Sequence, residues 1–549
     1  MTIDKLMRML ACFLASAIAV WGMASIPGTA SSPSVPLFDL GGHEHPISTD
    51  SLDAQRYFNQ GLNLTYAFNH AEAIRAFRQA AQLDSNCAIC YWGVAYALGP
   101  NINAPMVPDA VPQAWEALQR AIALSSEASE SEQAYIQALA KRYAPEPLRD
   151  RSSLDRAFAE AMEEVARRYP DDLDAATISA EALMDTTPWA YWEPDGTPKP
   201  VVRQLVAILE SVLERDPDHP GANHLYIHAV EASPQPERAE AAADRLGQLV
   251  PQAGHLLHMP SHIYLRLGRY HDASVANVRA IAADESYAQG SDSQGFYLAV
   301  YYSHNLHFLS YSAAMEGRQT TALDAARKLA AGIPSEQAAR VPILQWMVST
   351  PLFVMARFGQ WQAILQEPRP PSSLAYSTAI WHYVRGLAFA AQGQQRPAIF
   401  ALAAVREAEQ SEAIAKMEVP FVYAASQLKL ADRILGAEIL RLEGKRNRSI
   451  VLLQEAVELQ AHLPYMEPPY WYFPVREFLG DALLDANRLA DAEAAYRADL
   501  EHHPHSGWSL FGLLQSLRSQ GKSEAASDIQ AQFQHAWQHA DVVLTASRF

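Results

Sequence analysis

The chain has 549 residues, 49% hydrophobic and 19% charged, which is the composition of folded globular protein and not of a disordered chain. At this length it exceeds a single compact core of ordinary size. Its 43 Lys and Arg against 61 Asp and Glu give a net charge of −18, so the surface repels phosphate backbones and argues against nucleic acid and anionic membrane as partners.

The N-terminus carries Lys5 and Arg8, then an apolar run from Met9 to Met23 with no formal charge, then the small residues Gly28, Thr29 and Ala30. That is the pattern of an export signal, and the run is short for a bilayer span. Residues 1–30 are expected to be a signal peptide or signal anchor, with the remainder periplasmic or secreted. Residues 31–53 read as an extended segment. His43, Glu44 and His45 within it either fold back to complete a metal sphere or stay in solvent. Cys87 and Cys90 follow as C-A-I-C; Tyr91 comes next where a haem-attachment motif has His, so a local disulfide is expected in an oxidising compartment.

From residue 54 the chain is repetitive. Tyr57, Gly61, Ala73, Phe77 and Ala80 fall at positions 4, 8, 20, 24 and 27 of one unit; Gly480, Ala492, Tyr496 and Pro504 take 8, 20, 24 and 32 of another, Gly386 and Ala398 take 8 and 20, and Gly521 and Ala526 take 15 and 20 of the last. This spacing resembles the tetratricopeptide repeat, in which small residues at positions 8 and 20 let two helices approach and large residues at 4 and 24 fill the space around them. The resemblance implies an all-α solenoid of helix pairs wound as a right-handed superhelix, each unit burying its apolar face on its neighbours. Residues 54–345 form an N-terminal solenoid and residues 346–549 a C-terminal one in this reading. Interruptions fall near 99–112, 185–200, 284–300 and 365–378. Two turn-rich aromatic loops stand out, Pro188 to Gly196 and Glu467 to Pro474. Each either packs as a cap or lines a site.

Nine of the 19 histidines lie between His219 and His307. Ala239 and Pro251 fix one repeat register, in which His224, His228 and Glu231 take positions 5, 9 and 12. In the next unit His255, His258 and His262 take positions 2, 5 and 9, and in the third His304 and His307 take 2 and 5. Those positions share one helix face. In the tetratricopeptide family that face lines the concave groove, so the resemblance implies seven imidazoles and Glu231 meeting on one patch, centred on His224, His228, His258 and His262. Trp92, Asn223, Tyr226, Asn305 and Tyr311 are placed beside them to orient the rings or wall the groove.

Three readings follow. The histidines are ordinary polar residues bonded to neighbours, or they hold a transition metal, or they form a groove for a peptide, protein segment or small molecule, with pH tuning affinity. Imidazole-rich spheres suit copper or zinc and argue against calcium or magnesium. A bound metal would act as Lewis acid or redox centre. Neither a phosphate-binding glycine loop nor a convincing nucleophile elbow is present, and H-L-Y-I-H lacks the glutamate of zinc peptidases, so no catalytic residue is assigned. The stretch GHLLHMPSHIYLRLGRY, together with GANHLYIHAVEAS, is similar to segments of a group of exported bacterial tetratricopeptide proteins, a likeness that implies fold and compartment and no reaction.

Overall fold

The computed structural model describes residues 35–549 except Pro194 and residues 291–296. The expected leader over residues 1–30 lies outside the described residues. Among those described, regular structure is helical, and the only β features are isolated bridges from Asn101 to Ala104 and from Trp192 to Pro198. None of these helices is long and apolar enough to cross a membrane.

The chain divides into two compact units. The first holds the described residues up to Ile263 together with Val278–Tyr302; the second holds Tyr264–Asn277 and Ser303–Phe549. Residues 303–345, which the repeat register groups with the N-terminal solenoid, thus belong with the second unit.

The first unit is built from α1 (Leu52–Tyr66), α2 (His70–Leu83), α3 (Ala88–Ala97), α4 (Ala110–Leu124), α5 (Glu130–Leu139), α6 (Ser152–Arg168), α7 (Leu173–Asp185), α8 (Pro200–Arg215), α9 (Pro220–Val230), α10 (Glu240–Leu249) and α11 (Gly254–His258). The division falls within α12 (Pro260–Arg266) and α13 (Tyr270–Gly290). Helices adjacent in sequence pack as pairs: α1 on α2, α3 on α4, α6 on α7, α9 on α10. Local chemistry sets the starts. Ser51, Asn69 and Asp172 each accept a backbone N–H in the first turn of the helix they precede. The paired helices close on Phe77, which is fully buried. A Cβ on Gly61 would sit 2.6 Å from its ring, and one on Gly93 2.4 Å, so both positions exclude any side chain.

The segment before α1 lies along that helix. Tyr57 donates to the Val35 carbonyl (2.7 Å), and Gln60 bonds Phe38 N–H and Pro36 carbonyl, both at 2.9 Å. Cys87 and Cys90 are joined as a disulfide at the start of α3.

The second unit begins with α14 (Ser303–Met315) and α15 (Gln319–Ala331) and continues in pairs such as Ala375–Ala391 with Gln395–Glu409. The packing rule repeats there: Cβ atoms on Gly480 and Gly512 would lie 2.4 Å and 2.2 Å from the buried Tyr496 ring. Both units therefore have the helix-pair architecture that the small-and-large pattern demands.

Candidate metal centre

Pro220 opens α9 at a position where its missing N–H costs nothing, and His219 caps the helix by accepting Ala222 N–H on Nδ1 (3.2 Å). His224 and His228, four apart, then share one face, and Glu231 follows at the C-cap, three residues after His228. His255 and His258 come from α11 and His262 from α12, with Pro260 between them. All six side chains are buried, from 0% exposed for His224 and His258 to 5% for His262. They are therefore interior groups and not the lining of an open groove, which corrects the sequence expectation.

The five rings form one cluster. Centroids are 4.8 Å apart for His224 and His228, 4.9 Å for His224 and His255, 5.9 Å for His255 and His258, 4.9 Å for His258 and His262, and 5.8 Å for His262 and His228. The expected centre on His224, His228, His258 and His262 divides differently. One ring nitrogen from each of His224, His228 and His255 lies within 4.8 Å of the other two. His258 and His262 instead face each other, Nε2 to Nε2 at 2.9 Å.

Hydrogen-bond partners settle which nitrogens carry protons. His224 Nδ1 is 2.6 Å from the Tyr66 carbonyl, which only accepts, so Nδ1 holds the proton and the lone pair is on Nε2. His228 Nδ1 is 3.0 Å from a Glu231 oxygen, which leaves its lone pair on Nε2 as well. His228 Nε2 is buried and has no hydrogen-bond partner among the described residues, and the same holds for His255 Nδ1. His224 Nε2 and His255 Nε2 stand 3.1 Å apart. Two nitrogens held at about 2.0–2.1 Å on a tetrahedral ion are separated by roughly 3.3 Å, so this spacing fits a shared metal. The other oxygen of Glu231 pairs with His262 Nδ1, so one carboxylate fastens both imidazole pairs. His258 Nδ1 lies 3.4 Å from Ser261 Oγ, whose own proton goes to the His258 carbonyl (2.6 Å).

Electrostatics follow from burial. Desolvation, reinforced by neighbouring imidazoles, holds His224 and His255 well below the ordinary histidine range, and desolvation lowers His228 despite Glu231 beside it. Burial alone would raise Glu231; the His262 and His228 rings outweigh it and bring the carboxyl to about 2. The triad is thus three neutral imidazoles beside one ionised carboxylate, the protonation state in which imidazole binds metal.

Three aromatic rings wall the triad: Trp189 lies in the Pro188-to-Gly196 loop, for which cap and site lining were both open, and Phe68 and Tyr301 carry no signal in the sequence. Phe68 lies edge-on to His224 (4.6 Å) and stacked on His255 (5.5 Å). Tyr301, in a π-helical turn over Leu298–Tyr302, lies 4.4 Å from His255, and Trp189 stands edge-on to His228 at 5.2 Å. Phe68 and Trp189 both have positive φ, 55° and 60°.

Asn223, Tyr226, Trp92 and His307, among the expected neighbours, make other contacts. Asn223 donates to the Pro217 and His219 carbonyls, and Tyr226, about 200° round α9 from His224, donates to Glu210 (2.6 Å). Trp92 stacks on Tyr96 at 5.0 Å. His304, Asn305, His307 and Tyr311 lie on α14 of the second unit. There the His307 ring sits against Trp346 (4.5 Å) and Tyr472 (5.7 Å), and burial takes its pKa to about 3.

His43 and His45 do fold back, but onto a carboxylate. Asp174 accepts from Tyr66 Oη (2.6 Å) and His45 Nδ1 (2.8 Å), and lies 3.0 Å from His43 Nε2 and 3.2 Å from His219 Nε2. Because His219 Nδ1 already accepts a backbone N–H, its Nε2 carries the proton and donates. With that tautomer His219 serves Asp174 as a donor, and the cluster is a hydrogen-bond hub.

No family model matches the chain, and no curated protein matches its sequence. Solved structures similar to it include the APC/C hetero-tetramer Cut9-Hcn1 (13% identity, 87% of this chain and 76% of that one, TM-score 0.32), yeast Tom70 (12%, 88% and 92%, 0.27) and the P58(IPK) TPR domain (13%, 86% and 99%, 0.23). Similarity at this level assigns no function.

Proposed function

We propose that the chain is an exported tetratricopeptide-type repeat protein that binds a transition metal, copper or zinc, through His224, His228 and His255. The observation that carries this reading is the pairing of proton placement with burial. His224 and His228 are each held by an Nδ1 acceptor so that Nε2 presents a lone pair, and His228 Nε2 is buried with no hydrogen-bond partner among the described residues. Leaving such an atom unbonded costs about 1–3 kcal/mol, a cost that an ion removes. Nitrogen-rich coordination favours copper or zinc over harder ions. When bound, the ion would supply Lewis-acid or redox chemistry. The protein's residues hold and orient it: Glu231 fixes His228, the Tyr66 carbonyl fixes His224, and the aromatic walls exclude water. The basic and then apolar start from Lys5 to Met23 supports export.

Elemental analysis of untagged protein tests this directly. Wild type is expected to retain about one equivalent of metal that His224→Ala/His228→Ala lacks. Equal metal content in the two proteins defeats the assignment, and absence from both leaves a groove-binding scaffold for a peptide or protein segment.

A further inference from the structure

The three aromatic walls of the triad differ in one respect. Phe68 and Tyr301 are 4% and 3% exposed, whereas Trp189 is 36% exposed while the His228 ring behind it is 2% exposed. Of the three walls, the indole alone meets solvent. Trp189 is also held in the left-handed region at φ 60°, which a bulky side chain enters only where its surroundings impose it. Those surroundings are visible. Ala190 N–H donates to the Thr187 carbonyl (3.1 Å), and Lys199 N–H to the Tyr191 carbonyl (3.1 Å). Trp192 Nε1 anchors the loop to α9 through the Ala229 carbonyl (2.9 Å), and Tyr191 is buried beneath. The loop strains one residue and fastens both sides of it, with the result that an indole stands at 86° over the edge of His228.

We infer, building on the metal-binding reading above, that Trp189 is the door of the metal centre: the ion, and the exogenous ligand that completes its coordination, reach His228 Nε2 past this indole. The chemistry of the approach selects small, planar donors with an aromatic ring. Its walls are aromatic faces and edges. A heteroaromatic donor such as imidazole gains ring contacts there as it reaches the ion, whereas acetate gains the ion's charge alone.

Carbethoxylation of His228 by diethyl pyrocarbonate in metal-free protein, followed by peptide mass spectrometry, reads the door without any metal. Trp189→Ala and Trp189→Gly are expected to raise the rate at His228 about tenfold, with Trp189→Phe staying near wild type and His255, behind Phe68, staying slow in all. Trp189→Gly, which relieves the positive φ, guards against misfolding of the alanine variant. In zinc-loaded protein the same two variants should release metal to a chelator faster by a similar factor. Copper-loaded wild type should bind added imidazole in preference to acetate. Equal carbethoxylation of His228 in wild type and both open variants overturns the door; acetate competing as well as imidazole overturns the ligand class. Protein that takes up no metal but shows the carbethoxylation difference keeps the door and loses the metal reading.

Discussion

Glu231 decides more of the site's chemistry than any single histidine. Its two oxygens meet His228 Nδ1 and His262 Nδ1, so it places a proton on the outer nitrogen of His228, leaves a lone pair on the inner one, and ties His262 to the same carboxylate. Glu231→Gln keeps the volume but must offer an amide NH₂ to one of those rings, which reverses that ring's tautomer. Metal affinity is expected to fall about 10–100-fold by competition titration, with the far-ultraviolet circular dichroism unchanged. An unaltered affinity would remove Glu231 from the site. His255 gives the complementary case. Its Nδ1 is buried without a hydrogen-bond partner among the described residues while its Nε2 bonds His224, so His255→Leu trades one unpaired nitrogen for another and should leave the metal-free protein within about 1 kcal/mol of wild type while abolishing metal-dependent stabilisation. A large loss of apo stability would mean that the ring serves packing alone.

Between residue and fold lie the elements, and here the sequence was legible in part. The four-residue spacing of His224 and His228 on a helix opened by Pro220 was enough to put both rings on one face, and the structure has them 4.8 Å apart. The spacing of the three histidines from His255 to His262 fits one helix. Pro260 begins a new helix instead, so His255 turns to His224 while His258 and His262 pair with each other. Phe68, Trp189 and Tyr301 lie in a turn, a loop and a π-helical turn, where no period predicts a side chain's direction. The N-terminal segment gives the element-scale prediction. Burial opposes charge on His45, but Asp174, Asp172 and Glu132 raise its pKa above 6.5, and its three histidine partners hold Asp174 well below 3.8 despite burial. The stability from His45 is thus complete below pH 6.5 and fades as pH rises through its raised value. That from Asp174 is present above pH 3.8 and fades as pH falls through its lowered one. Protection of residues 43–48 against hydrogen exchange, relative to the intrinsic rate at each pH, should be greatest between these limits and fall on either side. Asp174→Asn should flatten the alkaline limb and cost about 2–4 kcal/mol. A flat profile in wild type would show that the hub does not hold the segment.

Across the whole molecule the triad lies within one of the two units, contributed by α9 and α11, while the second unit repeats the same helix-pair packing with its own core around Tyr496. A ligand that binds only the folded state stabilises it by about 2.7 kcal/mol at a hundred times its dissociation constant, and the gain belongs to whatever must unfold to release it. Added zinc or copper should therefore slow exchange in α9, α11 and the Trp189 loop, and leave the helices Val475–Asp485 and Gly507–Ser519 at their metal-free rates. Phe77→Ala separates this from general stiffening. It empties the contact of Gly61 and Gly93 and should cost about 3–5 kcal/mol, yet α9 and α11 should still gain protection on metal addition because neither helix contributes to that contact. Protection that rises equally in both units, or that survives in His224→Ala/His228→Ala, would place the metal somewhere other than the triad.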